Sequence, residues 1–208
     1  MGWDRPDVLV VTGDAYVDHP SFGAAVVGRV LAAAGWHVAI CDAVGRDEGA
    51  RIAAFGVPRL FYGVTSGNVD SMLMRYTAFG KIRNDDPYLP QSLAGMRPER
   101  AVIHYCNLIK QINKDVPIVV GGIEASMRRL AHFDFTSGKI RRSILLDSRA
   151  DILVYGSGEL AVAEIAARID RKEALDGIAG TLAIMKTPPD AALLLPPEAK
   201  HAIAGTLC

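Results

Sequence analysis

The sequence predicts an α/β fold: a three-layer flavodoxin-like or Rossmann-like parallel sheet of about five strands with helices on both faces. Three observations predict it. Short β-branched runs lack the polar alternation of half-exposed strands and so read as buried on both faces. Segments of helical periodicity separate these runs, which makes right-handed strand–helix–strand units of the chain. Glycines and short polar residues mark the hand-over from strand to helix.

Asp7–Thr12 (DVLVVT) is the first strand, and the loop Gly13–Ser21 leads to a helix over Phe22–Ala34. Ala25, Val26, Val30 and Leu31 give that helix its apolar stripe, and Gly35 caps it. His37–Cys41 is the second strand and Glu48–Phe55 a short helix. Leu60–Thr65 (LFYGVT) is the third strand, followed by Ser66-Gly67-Asn68 and a helix near Val69–Tyr76. Residues 77–97 break the rhythm with Asn84, Asp85, Asp86, Pro87 and Pro90. A loop of that length in a compact domain is usually functional or disordered.

Pro98 opens an amphipathic helix to Asn113, because Val102, Tyr105, Ile109 and Ile112 recur at spacings of three and four. Pro117–Val120 is the fourth strand, ending in Gly121-Gly122. Ile152–Tyr155 is the fifth, ending in Gly156-Ser157-Gly158 and a helix over Glu159–Ile169. Thr181–Met185 is a weaker candidate for a sixth strand. The expected strand order is 2-1-3-4-5, which sets the loops of the first and third strands across one crevice. Residues 1–185 thus form one Rossmann-like domain with irregular segments at 77–97 and 131–149, and 186–208, with two Pro-Pro pairs, forms a linker or tail.

Composition excludes several classes. At 208 residues and 22.3 kDa the chain is one domain's length and buries about 70% of its surface without staples. Twenty-three basic residues balance twenty-three acidic ones, so no whole-protein field attracts nucleic acid or anionic lipid. Cys41, Cys106 and Cys208 lie too far apart for a disulfide framework or a zinc knuckle, as suits a reducing, cytoplasmic setting. The start lacks a signal peptide's pattern, and no apolar run approaches the ~18 residues of a membrane span.

In open α/β sheets ligands bind beyond the carboxyl ends of the strands. The unusual residues fall there: Asp14, Asp18 and His19 after the first strand, and Ser66, Asn68 and Asp70 after the third. Gly121, Gly122, Glu124 and Ser126 follow the fourth, and Gly156, Gly158 and Glu159 the fifth. Glycine lets the backbone approach a ligand, and helix N-termini offer free N–H groups. The same residue types also cap helices and close turns. The expectation is a cofactor or small-molecule crevice built from these thirteen positions, with no metal and no catalytic residue among them.

From Gly13 the next glycine is Gly23, so neither a dinucleotide fingerprint nor a Walker loop fits. Asp14, Asp18 and His19 lack a second ligand cluster, which leaves caps and loop hydrogen bonds as the simpler account. No nucleophile–base pair is visible. Residues 128–149 are locally basic, with Arg128, Arg129, Lys139, Arg141, Arg142 and Arg149 beside His132, Phe133 and Phe135. A solvated face, or contact with another domain of the same polypeptide, is the preferred reading over RNA or phosphate.

Read together, VTGDAYVDHPSFGAAVVGRVLAAAGWHV, FYGVTSGNVDSML-RYT, KIRNDD, GGIEAS-RR-AHFDF and RRSILLDSRADILVYGSGE closely resemble the N-terminal region of YgiQ-type radical SAM proteins, over roughly residues 1 to 169. The resemblance implies a domain similar to the cobalamin-binding modules that precede many radical SAM cores. It also implies a downstream barrel whose C-x₃-C-x₂-C motif holds a 4Fe-4S cluster and S-adenosylmethionine. No such motif occurs in these 208 residues. Nor does the first loop carry the D-x-H-x-x-G of histidine-ligated cobalamin modules, because Asp18 and His19 are adjacent. The expected role is an accessory, non-catalytic domain that caps the barrel or binds a ligand, the alternative being a stand-alone cobalamin or nucleotide module.

Overall fold

The computed structural model describes residues 3–185. Its sheet is built from β1 (Val8–Thr12), β2 (Val38–Cys41), β3 (Phe61–Thr65), β4 (Ile118–Val120), β7 (Ile152–Val154) and β8 (Thr181–Ala183). They lie in the order β2-β1-β3-β4-β7-β8. The first five are parallel in the flavodoxin-like order expected from the crossovers. The weak sixth run pairs antiparallel with β7 and closes that edge. The linker expected at 186–208 lies outside the described residues.

Side chains alternate across this sheet with period two and divide the core between its faces. Leu9, Val11, Tyr62, Val64, Ile118, Val120 and Leu153 point one way. They meet α2 (Gly49–Ala53), α4 (Ala101–Ile112) and α6 (Ile144–Ser148), where Ile52, Val102, Tyr105, Ile109 and Ile144 are buried. Val8, Val10, Phe61, Val119, Ile152 and Val154 point the other way, toward α1 (Gly23–Ala33) and α7 (Glu159–Asp170). Both faces are therefore dry, and the strands carry no polar alternation for that reason.

Two short helices complete the carboxyl edge: α3 (Ser71–Arg75) after β3, and α5 (Gly122–Met127) after β4. The long segment 77–97 is ordered by a single 3₁₀ turn at Pro90–Ser92 and by bridges joining Tyr76 to Ile82 and Asp85 to Leu93. Arg97, only 3% exposed, ties it down through Asp86 at 2.8 Å.

The segment expected to be irregular at 131–149 instead holds an antiparallel hairpin of β5 (His132–Asp134) and β6 (Lys139–Arg141), followed by α6. Its strands are three residues each and mix charged with apolar side chains, too short a pattern to read from sequence. Here the basic stretch finds its partners. Arg128 pairs with Asp70, and Arg141 and Arg142 both reach Asp147. Arg100, at the head of α4, pairs with Asp134 of the hairpin. This pairing gives three of the six basic residues of 128–149 a structural role, while Lys139 and Arg149 stay exposed.

Asp134 is the hairpin's anchor. Burial opposes its ionisation, yet bonds from Thr136 and Arg100 hold the carboxyl well below its ordinary value of 3.8. A depressed carboxylate contributes stability above its unfolded pKa and loses it as pH falls through the folded value. Wild type should therefore lose stability between about pH 4 and pH 2 more steeply than Asp134→Asn. At pH 7 that variant should be weaker by roughly 3 kcal/mol, the cost of breaking a buried pair. Urea unfolding across a pH series checks both.

Candidate functional site

A cleft opens at the carboxyl edge of the sheet on the α1–α7 side, with a volume of ≈ 340 Å³. Its floor is Val10, Phe61, Gly63, Val119 and Val154, and its walls are Ala24 and Val27 of α1 and Val162 of α7. Gly121-Gly122 and Gly156-Ser157-Gly158 form the rim, with Glu159 in the first turn of α7. A second hollow of ≈ 170 Å³ around Thr12, Asp14, Asn68 and Ile123 adjoins it and shares Gly23, Thr65 and Gly122. The strand order reverses between β1 and β3, so this is the switch point where such folds take ligands.

One floor position of the cleft carries no side chain. Gly63 sits mid-strand between Phe61 and Thr65, paired with Val10 of β1. A Cβ there would lie 3.6 Å from Val10 and 3.7 Å from Phe61, ordinary contacts that the backbone tolerates. Packing does not demand glycine at this position; its absence of a side chain leaves room. Sequence reasoning overlooked it, although a glycine interrupting LFYGVT is the signal of a close approach. Thr65 and Ser21 on the cleft wall were likewise missed, and nothing in their pattern marks them.

The thirteen expected site residues divide. Asp14, Asn68, Gly121, Gly122, Gly156, Gly158 and Glu159 line the cleft or its adjoining hollow. The other six serve the loops. Asp18 pairs with Arg29 at the surface, and the Nδ1 of His19 accepts from the Ser21 N–H at 3.1 Å. The Ser66 hydroxyl donates to the Val69 carbonyl, and the Ser126 hydroxyl accepts from the Gly156 N–H. Asp70 caps α3 by accepting from Met72 and Leu73, and it also holds Arg128.

Glu124 is the plainest correction. Expected at the crevice, it is fully buried on the opposite side, accepting from the Ser71 N–H at 2.9 Å and the Val102 N–H at 3.1 Å. It joins the N-termini of α3 and α4 to α5. Burial, with Asp70 nearby, pushes its carboxyl upward against the Ser71 and Val102 bonds.

Asp14 lines the hollow but is already engaged. One oxygen accepts from the Asn68 N–H at 2.7 Å, and the other lies 2.9 Å from the Arg97 guanidinium. Burial pushes its carboxyl above the ordinary aspartate range, and Asp86 adds to that push against Asn68 and Arg97. Its place is kept by Gly67, whose φ is +112° and whose Cβ, if present, would fall 2.0 Å from an Asp14 oxygen.

Metal chemistry finds no donor set among the described residues, where no group of three His, Cys, Asp or Glu gathers. Cys41 and Cys106 are buried thiols, pushed up by burial to about 11 and about 12. Among the described residues no helix is long and apolar enough to cross a membrane.

Comparison with known proteins fits this geometry. The family model described as Radical SAM N-terminal matches residues 1–203. A UPF0313 protein of Shewanella oneidensis is 50% identical over 191 residues, which are 90% of this chain and 24% of that protein. The UPF0313 protein YgiQ of Salmonella typhimurium is 51% identical over 181 residues, 86% of this chain and 25% of that protein. The chain thus spans about a quarter of the length of the curated relatives it matches. Among solved structures, TsrM from Kitasatospora setae, a radical S-adenosylmethionine methyltransferase with cobalamin and a [4Fe-4S] cluster bound, aligns at a TM-score of 0.57 and 22% identity. The alignment covers 86% of this chain and 27% of TsrM, a likeness of fold.

The placement of Glu124 changes what its substitution should do. Glu124→Gln leaves one of the two buried N–H donors facing an amide NH₂, at a cost of about 2 kcal/mol. For a domain of this size the melting temperature should fall by about 4–8 °C, measured calorimetrically.

Proposed function

The chain belongs to the radical SAM N-terminal family, and from that premise we propose that it is the accessory, non-catalytic domain of a longer radical SAM polypeptide. In this reading it holds a cofactor with a flat heteroaromatic portion, cobalamin foremost, in the cleft between α1 and α7. The observation that carries the proposal is the cavity over Gly63, apolar on its floor and rimmed by glycine backbone. That is the lining a planar base requires: dispersion contacts beneath and a few backbone groups at the edge.

The residues fit the group on these grounds. Val10, Phe61, Val119 and Val154 would pack against the ring, and Gly121, Gly122, Gly156 and Ser157 would approach its polar edge. The N-terminus of α7 at the rim favours negative charge through its dipole. When bound, cobalamin supplies a cobalt centre able to carry an alkyl group. This chain would bind and orient it and exclude water from its buried side.

His19 is not arranged as a relayed cobalt ligand. A metal-bound imidazole usually gives its other ring nitrogen to a carboxylate, and here Asp18 is taken by Arg29 while Nδ1 of His19 is held by Ser21. The reading therefore needs no axial ligand from this loop. The 4Fe-4S cluster and S-adenosylmethionine belong, in this proposal, to the downstream part of the polypeptide. The second reading, a stand-alone nucleotide-binding module, draws on the same cleft but leaves the greater length of the relatives without a role.

Gly63→Val tests the cleft directly. Its γ-methyls would enter the cavity, and a β-branched residue suits a strand interior, so thermal stability should hold or rise by up to about 1 kcal/mol. Cobalamin titration followed by absorbance should show at least about tenfold weaker binding, a loss of about 1.4 kcal/mol. Equal binding by the variant would move the ligand elsewhere, and no binding by wild type would end the cobalamin reading.

A further inference from the structure

We propose that the β5–β6 hairpin is the docking element through which this domain seats the downstream part of its own polypeptide. Phe133 and Ile140 stand directly opposite each other in the hairpin and so share one face. That face is open: Phe133 is 66% exposed and Ile140 80%. Phe135 at the turn is more than half exposed as well, and Leu130 and Met127 lead into the hairpin with large exposed apolar side chains. Apolar clusters of this kind on a soluble surface mark interaction sites.

The opposite face explains why the hairpin can present them. Asp134 turns inward and is buried, held by Arg100 and by Thr136. Arg141, on the same inward face, is bonded to Asp147 at the start of the following helix. The hairpin is thereby fastened to the α4 side of the sheet, with its apolar pair fixed outward. An isolated two-stranded ribbon is marginal in water, so such anchoring is what gives it one orientation.

Two observations choose the occupant. About three quarters of the Shewanella relative lies outside the stretch that this chain matches, and in the proposed reading that length follows this domain and packs against it. The charge around the hairpin also argues for protein: Arg128, Arg141 and Arg142 are bonded to Asp70 and Asp147, the exposed Lys139 lies on the Asp134 face, and the Phe133–Ile140 face carries an aromatic and an aliphatic side chain. Such a surface buries well against an apolar protein face and poorly against a phosphate backbone.

The inference rests on the reading of this chain as part of a longer radical SAM polypeptide, and its test separates the two. Hydrogen–deuterium exchange of peptides spanning residues 131–142 is compared between the full-length polypeptide and the 208-residue chain. Exchange should be at least about tenfold slower in the full-length protein. The double variant Phe133→Thr/Ile140→Thr, which keeps residues suited to strands, should return the full-length rate to that of the short chain. In the short chain the same variant should leave the melting temperature unchanged, because neither side chain is part of the core.

Equal exchange in the two wild-type proteins would overturn the proposal. So would protection in the short chain that grows with concentration and disappears in the variant, since the occupant would then be a second copy. A full-length protein that assembles no iron–sulfur cluster under anaerobic reconstitution would remove the radical SAM reading and leave the hairpin result standing.

Discussion

One buried guanidinium ties the carboxyl edge of this domain together. Arg97 comes from the end of the long segment between α3 and α4, and it meets Asp86 of that segment, Asp14 after β1 and the Ser66 carbonyl after β3. It is 97% shielded from water, so its charge is tolerable only because two carboxylates and a carbonyl surround it. The close fit constrains its neighbours. A Cβ on Gly13 would come within 2.5 Å of the guanidinium, so the first loop must be glycine where it passes. Without this cation the loops of β1 and β3 would lose the group that joins them.

The same logic governs the other acidic groups at this edge. Asp70, Glu124 and Asp134 turn inward, to helix N-termini or to arginines, and do not face a ligand. What is left at the cleft is an apolar floor and a rim of glycine backbone with Glu159. In the proposed reading recognition there comes from shape and dispersion with a few backbone hydrogen bonds. The exposed apolar pair of the hairpin stands on the α4 side of the sheet, the cleft on the α1–α7 side. In the proposed reading one edge of the sheet offers two separate surfaces, one for a small molecule and one for polypeptide.

The division between structural and binding roles was only half legible in the chain. Gly121, Gly122, Gly156 and Gly158 fall at the cleft because the ends of buried parallel strands must emerge on one edge. Glu124 could not be assigned from its position, because a carboxylate after a glycine pair in a first helical turn satisfies the dipole whether it faces ligand or core. Gly63 was overlooked for the converse reason: a mid-strand glycine looks like weak packing until the cleft above it is seen.

The sequence by itself determined the parallel core of the sheet and its order. β-branched runs separated by amphipathic helices leave few ways to bury both faces, and the period of the apolar residues is local information. Only the tertiary structure decided which polar groups are spent on the fold. Arg97 lies 83 residues from Asp14, Arg100 34 from Asp134 and Arg128 58 from Asp70, and each pair is set by how the crossovers pack. A long charged side chain carries no periodic signature of its partner, so its use becomes visible only when the loops have been brought together in space.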